Sequence, residues 1–464
     1  MTVGCCLMVS ATWLAPRSVA QAPDAPNPKA THGQIGPPVV LPAPESSGAP
    51  ITLSLTEALA RAQENSPQFE AAVVAVEMAH ENHVQASAAM KPSLAFQMDY
   101  LNTQGNGISP VGRYVTNDGI HVYRTWAVVR QAMPGSFFIN AGPRKAAYEE
   151  AIAKAGEEVA KRSLVVTVTQ DYYFLLVAQH AYATAQESLA DARHFLEISQ
   201  ALEQGGEVAH ADVIRFELQV NQAQRNLGDA QLAVAQAKLN FGVLLFPSFN
   251  DNFSVLDDLG SPPQLPEFPR VEQLAKDRNP ELAAAMAAYH SAGVDVVAAK
   301  SAFFPSLSVD FDYGIEANAF ALHSDNLTRP GVLQSNLGYF ATYSLSLPVW
   351  DWGKLRSQLH QAQDQKNLAR LNLSFSQRQV LSHLYAYYGE AETARNQLTN
   401  LQRSVELAEQ NLKLVSMQYK AGEATVLQVL DAQTSAADTR NTLAAGEARY
   451  RNSLAILQTL TGSF

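Results

Sequence analysis

The sequence predicts an internally duplicated α+β membrane protein, in which short strands alternate with very long helices. Residues 67–100 align without a gap on residues 280–313, at a constant shift of 213 residues. In both copies the hydrophobic period changes from that of a helix to that of a strand. The helices that follow are far longer than a globular core needs. A unit of this length is half a molecule rather than a solenoid repeat.

The overall composition excludes several classes of protein. The net charge is −11, and Lys and Arg form no cluster, which argues against a nucleic-acid-binding surface. Ala, Leu, Gln, Glu and Val dominate most of the chain and favour long helices. Outside the N-terminus there is no run of eighteen apolar residues, so a transmembrane helix is not expected.

The N-terminal segment predicts export. Residues 1–20 read as a signal peptide, because an apolar stretch ends in the small-x-small pattern before Ala20. Residues 21–50 are Pro-rich and predict a disordered leader. Both cysteines, Cys5 and Cys6, precede the expected cleavage, so the mature chain would have no thiol. A weak lipobox ending at Cys5 leaves lipidation as the alternative.

The sequence divides into two similar repeats, expected over residues 51–269 and 270–464. Each consists of a helix, a β-hairpin and a long helical hairpin. The hairpins are expected at 93–133 and 306–348, an equatorial loop at 247–269, and one continuous helix at 271–304. The loops inside the β-hairpins, 103–119 and 317–335, are rich in Gly, Asn, Asp and Ser.

The strands of the second repeat have one apolar and one polar face. Leu307, Val309, Phe311 and Tyr313 alternate with polar residues, and the return strand alternates in the same way except at Phe340. Such a pattern fits a soluble sheet with one wet face. It fits equally a membrane barrel with apolar side chains outward, and the export signal and neighbouring helices favour that interpretation. The loops between strands would then be extracellular.

A very long helix follows each strand pair. From Lys354 to Lys420 the only Gly or Pro is Gly389, and the apolar residues are spaced alternately by three and four. That spacing is the heptad of a left-handed coiled coil, and the helix would be about 100 Å long. A counterpart is expected at 145–204. Gly206 and Gly422 then predict tight turns into shorter returning helices.

Three segments together resemble the TolC-like outer-membrane efflux protein family over about residues 53–462. The segment 419–433, which contains Lys-Ala-Gly-Glu-Ala, is similar to the family's second periplasmic turn. Pro-Ser-Leu at 305–307 and Leu-Pro-Val-Trp-Asp-Trp-Gly-Lys at 347–354 flank strands in the family's pattern. The resemblance implies a homotrimer, in which each subunit gives four strands to a 12-stranded outer-membrane β-barrel and its helices to a long periplasmic α-helical barrel. Physics agrees, because no open sheet edge survives in lipid.

The resemblance also implies a periplasmic gate near the two glycine turns. Carried over by position, its residues would be Asp212, Tyr419 and Asp431. Gln428 stands where the family often has a second acid, and Arg215 occupies the position in the first repeat that matches Asp431. Three copies of Asp431 would favour cations at a constriction. The alternative is that these are ordinary solvated helix residues.

Prolines and tryptophans mark the expected junction between barrel and helical bundle. Pro92 and Pro305 precede strands, whereas Pro348 follows one and is succeeded by Trp350 and Trp352. The two tryptophans are expected at the inner headgroup boundary, where such rings concentrate.

The predicted function is a passive exit duct of a tripartite efflux system, located in the outer membrane and extending into the periplasm. Expected partners are two further copies of the chain, a periplasmic adaptor, an inner-membrane pump and outer-membrane lipid. No nucleotide, metal or nucleophile motif occurs, so no cofactor and no catalysis are expected. The alternatives are a type I protein-secretion duct and a structural or adhesive trimeric coiled coil without a lumen.

Overall fold

A computed structural model describes residues 51–102, 121–248, 250–317, 320–325 and 331–462. The predicted signal peptide 1–20, the leader 21–50 and the loop 103–119 lie outside the described residues.

The described elements follow one order twice. The helices are α1 (Leu55–Asn65), α2 (Pro67–Ala88), α3 (Ala141–Gln204), α4 (His210–Leu245), α5 (Phe268–Arg278), α6 (Pro280–Ser301), α7 (Lys354–Lys420) and α8 (Val426–Thr461). The strands are β1 (Ile51–Leu53), β2 (Ser93–Asn102), β3 (His121–Met133), β4 (Phe253–Val255), β5 (Ser306–Ala317), β6 (His323–Asp325), β7 (Leu333–Ser335) and β8 (Leu337–Ser346). After α5 the succession of helix, strands, long helix and returning helix repeats the succession after α1.

Four long strands form one antiparallel sheet in the order β2-β3-β5-β8. The central contact, β3 with β5, joins the first strand pair to the second. Two ion pairs cross this contact, from Arg124 to Glu316 at 2.7 Å and from Arg130 to Asp310 at 3.1 Å. The edges β2 and β8 have no neighbouring strand among the described residues. Within the predicted loop 317–335, β6 and β7 form a further small hairpin.

The sheet has one apolar and one charged face, as the alternation predicts. The exposed apolar face carries Leu94, Phe96, Met98, Tyr100, Phe311, Tyr313, Tyr339, Tyr343 and Leu345. The opposite face carries both ion pairs and Asp99, which lies across from Arg124 in the β2–β3 register. Phe340 is an exception, since it lies on the charged face and is 60% exposed.

The helices form two four-membered rows, one near the sheet and one beyond the equator. In the first row α2 packs on α3, α3 on α6, and α6 on α7. In the second row α4 packs on α3, α3 on α8, and α8 on α7. The long helices α3 and α7 belong to both rows. Each row therefore ends at α7 on one side and at α2 or α4 on the other.

The continuous helix predicted at 271–304 is wrong, because the chain breaks between α5 and α6. Pro280 has no amide hydrogen to continue a helix, and the Asn279 side chain accepts from the Leu282 amide at 2.9 Å to start a new one. Ser66 and Pro67 separate α1 from α2 in the same way. Among the described residues, the run Phe268–Ser301 is long and apolar enough to span a membrane, judged by length and composition alone. Within its most apolar part, 28% of the residues are buried inside the subunit.

The helix predicted from Lys354 to Lys420 is confirmed, with 67 residues. Its predicted heptad seam is buried or half-buried throughout, and the fully buried members include Leu384, Leu398 and Tyr419. Most of this seam packs against α8, so the two helices form an antiparallel coiled coil.

The segment after β4 is hydrogen-bonded to three helices through tyrosine hydroxyl groups. On α3, Tyr172 donates to the Leu256 carbonyl at 2.5 Å; on α8, Tyr450 donates to the Pro263 carbonyl at 2.7 Å. On α7, Tyr388 donates to the Pro266 carbonyl at 3.1 Å. Burial raises the pKa of Tyr172 to about 12, so this phenol remains a donor at physiological pH. The equatorial segment from Leu256 to Pro266 thus links α3, α8 and α7 through these hydrogen bonds.

Candidate functional site at the two helical turns

The long helical hairpins reverse through turns with the same backbone. Gly206 and Gly422 both have φ of 77°, a left-handed conformation that side chains with a Cβ rarely adopt. In each turn the amide after the glycine donates to the carbonyl five residues earlier, at 2.9 Å in both cases. This bond defines a Schellman motif, which satisfies carbonyls that the helix end leaves free. The predicted turns are therefore present at both glycines.

One aromatic core joins the two turns. Phe195 of α3 stacks on Phe216 of α4 with ring centroids 6.0 Å apart. Tyr419 of α7 meets the Phe216 ring edge-on at 5.7 Å. Val426 and Val429 of α8 complete the cluster, and all five side chains are at most 5% exposed. Since both turns contribute to one core, neither can move far without disturbing the other.

Tyr419 belongs to this core rather than to the surface of the subunit. It is 2% exposed, and its hydroxyl is buried without a hydrogen-bond partner among the described residues. Burial is the main cause that raises the pKa of this phenol. The nearby Ser199 hydroxyl lowers this pKa, and the negative charge of Asp212 raises it. In this conformation the Tyr419 side chain therefore contacts other helices of its own subunit and does not form part of the subunit surface.

Gln428 stabilises the start of α8. Its side-chain oxygen accepts from the backbone amide of Thr425 at 2.7 Å, and the Thr425 hydroxyl faces the Gln428 amide in return. This reciprocal arrangement is a capping box, which satisfies two amides that a helix start leaves free. Glu serves the same position equally well, so the cap does not require the neutral residue found here.

The charged residues of the two turns differ in sign and in partners. Asp212 and Arg215 lie one turn apart on α4 and form an ion pair at 3.3 Å, so their charges cancel. Asp431 occupies the position on α8 that matches Arg215, and it is exposed. Among the described residues, no cation lies within ion-pair distance of Asp431. With neutral Gln428 beside it, the start of α8 therefore carries an uncompensated negative charge.

The predicted junction residues lie between sheet and helices. Trp350 and Trp352 are 75% and 89% exposed, and their rings meet edge-on at 5.6 Å. Trp352 has φ of 57°, a strained value for a residue with a side chain. Asp351 between them accepts from the amides of Gly353 and Leu355 and so begins α7. Pro92, Pro305 and Pro348 flank β2, β5 and β8, respectively.

Sequence reasoning missed two parts of this site. Phe195 and Phe216 lie on different helices, and nothing local in the sequence shows that their rings meet Tyr419. The capping box could have been found, because Thr425 is followed three residues later by Gln428, which is its sequence signature.

Comparison with known proteins agrees with this architecture. Residues 271–463 match the family described as Outer membrane efflux protein. A relative from Pseudomonas putida, named Pyoverdine export outer membrane protein OpmQ, is 25% identical and covers 81% of this chain and 78% of its own. Outer membrane efflux protein BepC of Brucella suis is 22% identical, over 83% of this chain and 80% of its own.

A solved structure has the same fold. The Campylobacter jejuni CmeC outer membrane channel superposes with a TM-score of 0.72 at 17% identity, covering 88% of this chain and 85% of that one. The family consists of channel and transport proteins rather than enzymes. Residues 271–463 therefore match the outer membrane efflux protein family, the chain has the fold of TolC-like outer-membrane channels, and it is located in the outer membrane.

Proposed function

We propose that three copies of this chain form a passive duct, through which small molecules leave the periplasm for the exterior. A periplasmic adaptor and an inner-membrane pump would load the duct and supply the energy. The export role of the relatives supports this proposal, as do the two open sides of the subunit.

The observation that carries the proposal is the coincidence of open edges in three layers. The sheet ends at β2 and β8, the first helical row at α2 and α7, and the second at α4 and α7. Because α2 leads into β2 and β8 leads into α7, the open edges of sheet and upper row lie on the same sides. One rotation that joins β2 to the next copy's β8 would therefore close every layer.

The two faces of the sheet indicate which side meets lipid. An exposed row of Leu, Phe, Met and Tyr suits contact with the bilayer, whereas placing the Arg–carboxylate pairs against lipid would be unfavourable. The charged face would then line the duct. At the other end, we propose that Asp431 forms a ring of three negative charges, with Tyr419, Asp212, Arg215 and Gln428 shaping its surroundings.

We also propose that residues 51–269 and 270–464 are two copies of one ancestral half. The matching elements, the paired Pro67 and Pro280 breaks and the identical glycine turns support it. Residues 1–20 as a signal peptide and 21–50 as a leader stay predictions.

Cysteine crosslinking across the open edges tests the assembly. The sequence has only Cys5 and Cys6, so introduced pairs report cleanly. Gln97→Cys on β2 is combined in turn with Gly338→Cys, Thr342→Cys or Ser344→Cys on β8. Within one subunit two strands separate these edges, roughly 14 Å, which is too far for a disulfide.

The expected result is a covalent trimer on denaturing gels for at least one pair, together with single-channel current in a planar bilayer. Gln97→Cys alone is the matched control and should remain monomeric on the gel. Monomers for every pair, or trimers without current, would contradict the proposal, and trimers without current would point to the lumen-less coiled coil.

A further inference from the structure

The charged face of the sheet contains an aromatic feature that channel closure does not require. Phe340 is 60% exposed on this face, although its neighbours along β8 on the same face are Gly338 and Thr342. Trp126 on β3 lies on the same face and lines the same depression. A large apolar ring facing a water-filled duct is unfavourable unless something packs on it.

The charges around these rings are unequal. Asp312 is the register partner of Phe340 on one side and of Val128 on the other. Among the described residues, no cation lies within ion-pair distance of Asp312. The two arginines of this face are each held by another carboxylate, Arg124 by Glu316 and Arg130 by Asp310.

The sheet therefore leaves a carboxylate free beside an exposed ring. Among the described residues of this face, four carboxylates, those of Asp99, Asp310, Asp312 and Glu316, stand against two guanidinium groups. An anion would be repelled by the excess negative charge, and a small, strongly hydrated inorganic cation would gain little from the rings. A flat aromatic cation could stack on the rings while its charge approached Asp312.

We propose that Trp126, Phe340 and Asp312 form a contact site for planar aromatic cations on the wall of the duct. This inference rests on the proposed function, since it assigns the charged face to the lumen. Three copies of the site would circle the duct at one level. The site would favour such molecules among those exported by holding them briefly as they pass.

Single-channel recording of the trimer in a planar bilayer tests the site. Ethidium is the planar aromatic cation, and 1-pyrenesulfonate is a planar aromatic anion. The mean time for which ethidium interrupts the current should shorten roughly three- to tenfold in Phe340→Ala and in Trp126→Ala. Phe340→Leu keeps most of the volume without the π-face, and it should shorten the interruptions to a similar extent.

Two further variants separate charge from packing. Asp312→Asn should shorten the interruptions by ethidium, because the rings remain but the negative charge is lost. Tyr343→Ala is the matched control, because Tyr343 is 73% exposed on the opposite, apolar face of β8 and does not line the depression that contains Phe340 and Trp126. It should leave the interruptions unchanged.

Equal interruption times in wild type, Phe340→Leu and Asp312→Asn would overturn the inference, as would interruption by 1-pyrenesulfonate as long as that by ethidium. In either case an intact current would leave the duct itself in place. Absence of current from the wild-type trimer would instead contradict the proposed function.

Discussion

At Gly206 and at Gly422 the chain reverses with the same φ and the same Schellman bond, yet the returning helices begin differently. The second turn starts α8 with a capping box, whereas Ala209 starts α4 without a side-chain cap. At matching positions α4 carries Arg215, which is paired with Asp212, whereas α8 carries Asp431, which has no ion-pair partner among the described residues. The backbone geometry is thus the same at the two turns, whereas the side chains differ. The second returning helix is the better capped of the two, and its first turns carry an unpaired acid.

The shared aromatic core is where a substitution should have the largest effect. Phe216→Ala removes a fully buried ring that contacts both Phe195 and Tyr419. We expect this substitution to lower the free energy of unfolding by about 3–5 kcal/mol. Amide hydrogen exchange should become faster at both turns, including the second turn, which Phe216 does not belong to. Leu427→Ala, at a 60% exposed side chain near the second turn, is the control. Faster exchange at the first turn only would show that the turns are independent.

The turn glycines should be equally sensitive, because their conformations are the same. Gly206→Ala and Gly422→Ala should each lower the free energy of unfolding by about 1–2 kcal/mol, because both positions need a left-handed backbone. Neither position has a close neighbour with which the added Cβ would clash. Thermal unfolding of the trimer measures both. Gly205→Ala is the matched control, with φ of −77° and only ordinary contacts, and it should be neutral or slightly stabilising. A large difference between Gly206→Ala and Gly422→Ala would break the equivalence.

The difference in capping predicts effects of opposite sign. Thr425→Ala should destabilise α8 by about 1 kcal/mol, because the Gln428 amide loses its acceptor. Ala209→Ser should stabilise α4 by a similar or smaller amount. Hydrogen exchange in the first turn of each helix reports the two changes separately. If Ala209→Ser is neutral while Thr425→Ala destabilises, the first turn does not need a cap.

The smallest effect is expected at the hydroxyl of Tyr419. Near neutral pH, Tyr419→Phe should unfold at nearly the wild-type temperature, because the buried hydroxyl has no partner to lose. Burial raises the folded-state pKa of this phenol above the ordinary tyrosine value of about 10. Above pH 10 the unfolded phenol ionises while the buried one resists, so wild type should lose stability relative to the variant. If the unfolding temperatures of wild type and Tyr419→Phe differ by the same amount at every pH up to 11, the phenol is exposed to water and the prediction is contradicted.

Periodicity predicted the elements well and their contacts less well. The heptad of α7 and the alternation of β5 and β8 are local patterns, and each gives the apolar face of its element directly. The Asn279–Pro280 break was missed although Pro67 stands at the matching position, because the apolar run on either side masked a cap that a single Asn provides.

The site was predicted only in part for a similar reason. Gly206, Gly422 and the charged residues near them are visible in the sequence. That Tyr419 is enclosed by Phe195 and Phe216 depends on packing between residues that lie more than 200 positions apart in the sequence. The ion pair of Asp212 with Arg215, three residues away on one helix face, could have been anticipated.

Ion selectivity tests most directly the proposal that Asp431 sets the charge at a constriction of the duct. The reversal potential is measured across a salt gradient for the trimer in a planar bilayer. Asp431→Ala should lose most of the cation preference. Asp212→Ala should change it little, or slightly toward anions as Arg215 is freed.

Gln428→Glu adds a charge while it keeps the capping box, so it should strengthen the cation preference at unchanged stability. On a solvated outer face the same charges would be screened within about 10 Å and would not alter the potential. The account predicts a shift toward cations in Gln428→Glu and a shift away from them in Asp431→Ala. Identical reversal potentials in wild type and both variants would contradict it.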